Sequence, residues 1–259
     1  MQRKTNAGVR AVILAGGKGT RLKPLTAVFP KPLVPLGNKP ILEILLRRLA
    51  SSGLKDVTIC TGYLAELIKA VCGNGSKFGL NIEYVGEDQP LGTAGPLSLI
   101  PNLTDPFIVM NGDLLTTLNF QSMLNFHRKQ KADFTVGVFP REVKIDFGVI
   151  QFDKDGEFDG YREKPKYNFD VSMGVNVIGQ AAMKHVVAGK YLDMPDLVLK
   201  VHGSRGRVKC YRENCRWLDI GRMDDYALAQ DEFTQNEEAF LNGATSKKHL
   251  DNRSSRVLR

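Results

Sequence analysis

The run from Val9 to Ala15 is short, apolar and cut off by Gly16-Gly17. It lacks the polar alternation of a half-exposed strand, so it reads as a strand buried on both faces. Such a strand requires neighbours on either side and helices above and below. The rest of the first half supplies them. Pro40–Ser52 sets Ile41, Ile44, Leu45 and Leu49 on one helical stripe that Gly53 ends. Strands at Val57–Thr61, Asn81–Val85, Phe107–Met110 and Phe134–Phe139 alternate with helices at Ala65–Cys72, Thr93–Leu99 and Gln121–Lys131. This order predicts an α/β fold with a doubly wound, mixed but mostly parallel sheet.

The second half has a different texture. Gly148–Phe152 and Glu157–Arg162, joined by Asp153-Lys154-Asp155-Gly156, predict a hairpin and with it a small β lobe. A strand at Val171–Ile178, helical stretches near Ala181–Val187 and Asp196–His202, a strand at Arg207–Tyr211 and an amphipathic helix at Asp224–Asn236 complete the chain. With no internal repeat and no long linker, residues 9–240 read as one domain. Residues 9–140 form its first half and 141–240 its second, and 1–8 and 243–259 read as flexible basic tails.

The formal charge of +8 invites a polyanion as partner. Its distribution argues otherwise. Three units lie on residues 1–10 and four on 246–259, where Lys247, Lys248, Arg253, Arg256 and Arg259 face only Asp251. Residues 11–245 carry the one unit left, so no nucleic-acid partner is expected. No apolar run reaches the ~18 residues of a membrane span, and no signal peptide is evident. Cys60 and Cys72 sit in apolar patterns, and Cys210 and Cys215 have no second ligand pair, so a reduced cytoplasmic protein is expected.

Chemistry concentrates just after the first strand, in Gly16-Gly17-Lys18-Gly19-Thr20-Arg21. Closely spaced glycines let backbone N–H groups turn onto an anion that a Cβ would keep away. The segment is neither a P-loop nor a Gly-x-Gly-x-x-Gly motif. Arg21, and Lys31 within Pro30-Lys31-Pro32, make a bound phosphate chain a better reading than a bare turn. Pro24, Pro30, Pro32, Pro35 and Pro40 stiffen the stretch. Asp113, at the carboxyl end of a buried strand, reads locally as an Asx turn or helix cap.

The stretch Gly16–Pro35, ending Phe29-Pro30-Lys31-Pro32-Leu33-Val34-Pro35, resembles the signature of the sugar-1-phosphate nucleotidyltransferases, or nucleotide-sugar pyrophosphorylases. The likeness continues at Pro90-Leu91-Gly92-Thr93-Ala94-Gly95, Asn111-Gly112-Asp113, Phe147-Gly148-Val149, Glu163-Lys164-Pro165 and Trp217-Leu218-Asp219-Ile220-Gly221. It implies a Rossmann-like nucleotide-diphospho-sugar transferase fold in which a sugar 1-phosphate attacks the α-phosphorus of an NTP and pyrophosphate leaves. The resemblance gives Arg21, Lys31, Asp113 and Lys164 catalytic roles. Leu14, Ala15, Gly16, Gly17, Gly19, Thr20, Gln89, Gly92 and Thr93 would bind the nucleotide, the bare glycine at 92 letting the base lie flat. Asn111, Gly148, Glu163, Lys164 and Asn176 would bind the sugar phosphate, and Asp113 with Asp219 would hold Mg²⁺.

The Gly92-Thr93-Ala94-Gly95 form favours GTP with a mannose- or heptose-type 1-phosphate, ahead of UTP, dTTP or CTP with a glucose-type one. Homo-oligomers are common among such proteins. Two other classes stay open: a non-catalytic regulatory or scaffolding paralogue, which would be free to lose these residues, and an anionic-surface binder working through the basic ends. Trp217 is assigned to the core by default.

Overall fold

A computed structural model describes residues 8–242. Both predicted tails, apart from Gly8, lie outside the described residues. Chain order runs β1 (Ala11–Ala15), β2 (Pro35–Leu36), β3 (Lys39–Pro40), α1 (Ile41–Ser51), β4 (Asp56–Thr61), α2 (Ala65–Cys72) and β5 (Asn81–Gly86). Next come β6 (Phe107–Asn111), β7 (Leu114–Thr116), α3 (Phe120–Gln130), β8 (Phe134–Lys144), β9 (Val149–Phe152) and β10 (Phe158–Arg162). The chain continues through β11 (Lys166–Ile178), α4 (Met194–Gly203), β12 (Val208–Arg212), β13 (Trp217–Asp219) and α5 (Met223–Asn242).

Seven strands form the central sheet in the order β12-β8-β11-β6-β1-β4-β5. Neighbours are parallel except at β11, which runs antiparallel to both β6 and β8. The apolar run of β1 is buried on both sides, as its composition predicts. Ala11, Ile13 and Ala15 join a core with Leu45, Leu49, Phe120 and Met123 on one face. Val12 joins Leu97, Phe107, Phe134 and Leu197 on the other. Each fully buried Leu, Ile or Phe contributes roughly 1.5–3 kcal/mol, so a polar residue in β1 would be costly. A third core beneath α5 joins Leu22, Leu36, Ile41, Leu115, Ile220 and Phe233. It ties the segment after the glycine loop to the chain's last helix.

Several elements differ from the sequence reading. β8 runs on to Lys144 and β11 starts at Lys166, five residues beyond each expected end. Together they form a ribbon that leaves the sheet, and the β9–β10 hairpin is a separate two-stranded unit. The helices expected at Thr93–Leu99 and Ala181–Val187 are 3₁₀ turns, Gly95–Leu99 and Gln180–His185. Gly95-Pro96 at the start of the first leaves an orphan N–H group fewer but gives no side-chain cap. α5 continues past Asn236, where a non-helical backbone kinks it, to Asn242. The short pair β7–β13 was not anticipated, and it positions two acidic residues.

Candidate active site

A cavity of about 620 Å³ opens over the carboxyl ends of β1, β4, β5 and β6. Leu14, Ala15, Gly16, Gly17, Lys31, Gln89, Gly92, Thr93, Asn111 and Asp113 all line it, so residues from four segments of the chain meet there. Gly19 and Thr20, also expected at the nucleotide, do not line it. Gly19 is left-handed (φ +60°), and a Cβ on it would come within 2.8 Å of the Lys31 Cβ. Its carbonyl accepts from the Thr26 hydroxyl (2.8 Å) and the Leu22 N–H (3.0 Å). The glycine loop is thereby fastened to the proline-rich segment that carries Lys31.

Asp113 follows Gly112, whose N–H donates to the Leu14 carbonyl (2.9 Å). This contact draws the end of β6 against the end of β1. Lys31 Nζ pairs with Asp113 Oδ2, and the two side chains are 11% and 19% exposed. The second carboxylate oxygen, Oδ1, is buried and has no hydrogen-bond partner among the described residues. An unpaired buried acceptor is costly unless a ligand meets it. Asp219, on β13, pairs across to Leu114 of β7, and the Ile220 N–H donates to the Asp113 carbonyl (3.3 Å). The β7–β13 ladder thus sets Asp219 beside Asp113. Desolvation pushes the Asp219 carboxyl above its ordinary range and the Asp113 charge adds to the rise, while Lys31 and Arg21 oppose it. Arg21, on the 3₁₀ turn Thr20–Leu22, approaches the same corner at Gly221, 3.8 Å from where a Cβ would stand.

Mg²⁺ suits these residues. Two carboxylates, one with a free oxygen, match a cation that keeps several waters and takes its other ligands from phosphates. Among the described residues no group of three or more His, Cys, Asp or Glu forms a closed protein cage.

The expected sugar-phosphate residues are more dispersed. Gly148 faces the Tyr161 phenol, which occupies the space a Cβ would need. The Tyr161 hydroxyl donates to Glu163 Oε2 (2.7 Å), and Glu163 Oε1 lies 3.8 Å from Lys164 Nζ, both side chains being more than half exposed. These residues belong to the hairpin region and do not line the cavity. Asn176 is buried within β11, opposite Val109 and Val136, and also stands away from the cavity wall. Asn111 is the asparagine at the wall. Gly174, left-handed, lets the backbone come so close that a Cβ would lie 2.6 Å from Asn111 Nδ2.

At the β5 end, Gly92 has φ +80°, and its Cβ direction is filled by the Leu192 carbonyl (2.6 Å) and Asp193 Oδ1 (2.9 Å). That bare face receives a crossing strap of backbone, so it is not the surface on which a base would lie. Asp193 Oδ1 accepts from the Thr93 N–H (3.0 Å) and hydroxyl (3.2 Å), and Oδ2 from the Tyr191 hydroxyl (2.7 Å). These bonds, the Tyr191 one foremost, hold the Asp193 carboxyl below its ordinary range. Glu87, Tyr191 and Asp193 all line the cavity, and the sequence reading missed them. For Asp193 the only local signal was a helix start. Trp217 packs on Phe139 with ring centroids 5.3 Å apart and donates to the Met173 carbonyl (2.9 Å), a core role as expected.

The sheet, with the glycine loop and the Lys31–Asp113 corner at the carboxyl ends of its strands, defines an α/β protein of the doubly wound class. Residues 10–236 match the sequence model of the nucleotidyl transferase family, and the chain belongs to that family. It is 32% identical over 226 residues to a mannose-1-phosphate guanylyltransferase catalytic subunit beta of Drosophila pseudoobscura pseudoobscura, covering 85% of this chain and 61% of that one. It is 30% identical over 238 residues to a UTP–glucose-1-phosphate uridylyltransferase of Synechocystis sp., covering 84% and 61%. The chain therefore spans about three-fifths of the length of these curated relatives. The solved structure of HddC from Yersinia pseudotuberculosis, complexed with GMP-PN, superposes with a TM-score of 0.68 at 24% identity, over 87% of this chain and 100% of that one. This likeness shows the shared fold.

Proposed function

We propose that the chain transfers a nucleotidyl group from an NTP to a sugar 1-phosphate, releasing pyrophosphate. The reading rests above all on the Lys31–Asp113 pair, with its unpartnered Oδ1, set beside Asp219 at one end of a nucleotide-sized cavity. Phosphoryl transfer of this kind needs alignment and charge neutralisation more than proton transfer. The glycine-loop N–H groups and Lys31 receive the triphosphate, and Arg21 adds positive charge behind the loop. The chain's prolines hold these cations in place, so little order is lost on binding. Asp113 and Asp219 would hold Mg²⁺, which when bound neutralises phosphate charge and orients the oxygens. Lys164 and Glu163, exposed on the hairpin side, are assigned to the sugar phosphate, as are Gly148 beside Tyr161 and Asn176 of β11.

The names of the relatives favour GTP with a mannose-type 1-phosphate first and UTP with glucose 1-phosphate next. The buried free thiols agree with a reducing, cytoplasmic setting. Among the described residues no helix is long and apolar enough to cross a membrane.

Pyrophosphate release, measured over a panel of NTPs crossed with sugar 1-phosphates, tests the proposal. Asp113→Asn and Lys31→Ala should each lower turnover by about 10²–10³-fold, the cost of removing one preorganised charge-stabilising group. Undiminished turnover in both variants would overturn it.

A further inference from the structure

At the other end of the sheet lies a second hollow of about 200 Å³, about a third of the volume of the main cavity. Its walls carry Asp133, just before β8, then Lys184 and His185 of the 3₁₀ turn Gln180–His185, and Ser204, Arg205 and Gly206 after α4. The starts of β8 and β12 and the end of β11 meet beside it, whereas the main cavity opens over strand carboxyl ends on the far side. Residues 197–212 hold five Lys or Arg and no Asp or Glu, so this corner is basic although the body of the chain is nearly neutral.

The end of α4 is strained. The Arg205 N–H donates to the His202 carbonyl (2.9 Å) and the Gly206 N–H to the Val201 carbonyl (2.9 Å). In this Schellman pattern the left-handed position normally belongs to glycine. Arg205 holds it here (φ +62°), although Gly203 and Gly206 stand close on either side. A cation at a helix carboxyl end is favourable, but Lys200 and His202 already supply basic side chains in the last turn. The strain therefore points to a local task for the Arg205 side chain, which lines the hollow. Among the described residues neither Lys184 nor Arg205 makes an ion pair. The Ser204 hydroxyl donates to the Val201 carbonyl (2.9 Å), so its oxygen accepts from His185 Nε2 (3.1 Å), and a further proton on His185 goes to Nδ1. Asp133, the acid on the wall, turns Oδ2 to the Arg207 N–H (2.7 Å).

We infer that this hollow is a second ligand site, for a small phosphate monoester, and that its occupant acts on the nucleotide cavity. Lys184, Arg205 and a protonated His185 suit an anion with three acceptor oxygens better than a carboxylate with two. The volume admits a phosphate with a few carbons and is too small for a whole nucleotide. The coupling follows the chain. Lys184–His185 and Ser204–Arg205 bracket the segment that holds Asp193 and α4, and α4 spans about 15 Å between Asp193 and the hollow. Asp193 in turn holds the Thr93 N–H at the nucleotide cavity. A ligand that bridges the two ends of this segment orders it, and a nucleotide binding afterwards loses less freedom.

The experiment titrates glycerol 3-phosphate, a monoester that is not a sugar 1-phosphate, into the full chain at constant ionic strength. Amide resonances of Ser204, Arg205 and Gly206 should shift saturably, and the Kd for GTP with Mg²⁺ should fall about fivefold or more. Malonate, a dicarboxylate, should shift them less. Arg205→Gly suits the left-handed position and should raise Tm by roughly 2–4 °C. It should also weaken glycerol 3-phosphate at this site about tenfold or more and abolish its effect on GTP, while GTP affinity alone stays unchanged. Unshifted amides at 204–206, or equal shifts with malonate, would overturn the site. Shifted amides with an unchanged GTP affinity would overturn the coupling, as would a weakened one, the sign of competition in the main cavity. If GTP bound under no condition, the proposed function would fall, while the amide shifts would still decide this site.

Discussion

The four cysteines differ in chemistry only through what surrounds each sulfur. Burial, with the Glu87 charge second, pushes the Cys60 thiol up to about 12. Burial likewise raises Cys72 and Cys215 to about 11. Cys210 on β12 is exposed. Since the thiolate is the reactive species, a disulfide reagent at pH 8 should titrate one thiol per native chain rapidly and the remaining three only in denaturant. A second rapidly reacting thiol in the native protein would show that one of the buried sulfurs is reachable. The apolar patterns around Cys60 and Cys72 made their burial legible. Nothing local in the sequence showed that Cys215 would sit near Arg48.

At the scale of elements, the strap Tyr191–Asp193 fastens the Gly92–Gly95 loop from the other half of the chain. The Ala94 and Gly95 N–H groups donate to the Leu192 carbonyl (2.8 and 3.0 Å), and the Leu192 N–H returns to the Leu91 carbonyl (2.9 Å). Asp193 adds the two Thr93 bonds, and the Met194 N–H closes onto the Thr93 hydroxyl (2.7 Å). Removing a charged acceptor from such a set costs about 1.5–3 kcal/mol. Asp193→Ala should therefore raise KM for the NTP about tenfold or more while kcat changes little, because the Lys31–Asp113 end is untouched. A fall confined to kcat, with KM unchanged, would contradict a role in holding the nucleotide loop.

The same region shows why parts of the fold were not legible. The glycine loop, Lys31 and Asp113 are marked by local composition: glycines after a strand, a lysine between prolines, an acid at a strand end. Asp193, Glu87 and the β7–β13 ladder are defined by partners roughly 70–100 residues distant or by the shape of a turn. β7 and β13 span three residues each, too few for a period to register. The ends of β8 and β11 were missed for another reason. They leave the core, so the apolar signal that marks a buried strand fades where they pair only with each other. The hairpin, with its Asp-Lys-Asp-Gly turn, was read correctly from turn chemistry alone.

For the molecule as a whole, the +8 charge was a poor guide to its ligand, because seven units lie on residues 1–10 and 246–259 of the sequence. What matters is that Lys31 and Asp113, with Arg21 and Asp219 close by, converge at one end of the cavity, while Glu87, Asp88 and Asp193 line the other with Gln89 and Thr93. A site built this way should respond to a complete nucleotide and not to phosphate charge alone. Ligand at one hundred times its Kd stabilises the folded state by about 2.7 kcal/mol, and for a chain of this size each kcal/mol moves Tm by roughly 2–4 °C. GTP with Mg²⁺ should therefore raise Tm by about 5–10 °C, and chelating the metal should remove much of that rise. In Asp113→Asn the shift should be the same with and without metal, because the metal-dependent part needs the carboxylate. Inorganic tripolyphosphate, which carries the charge without a base, should give a clearly smaller shift than GTP at equal concentration. If tripolyphosphate and GTP stabilised the protein equally, the base end of the cavity would contribute nothing to binding. The molecule would then be an anion binder whose glycine loop serves phosphate alone.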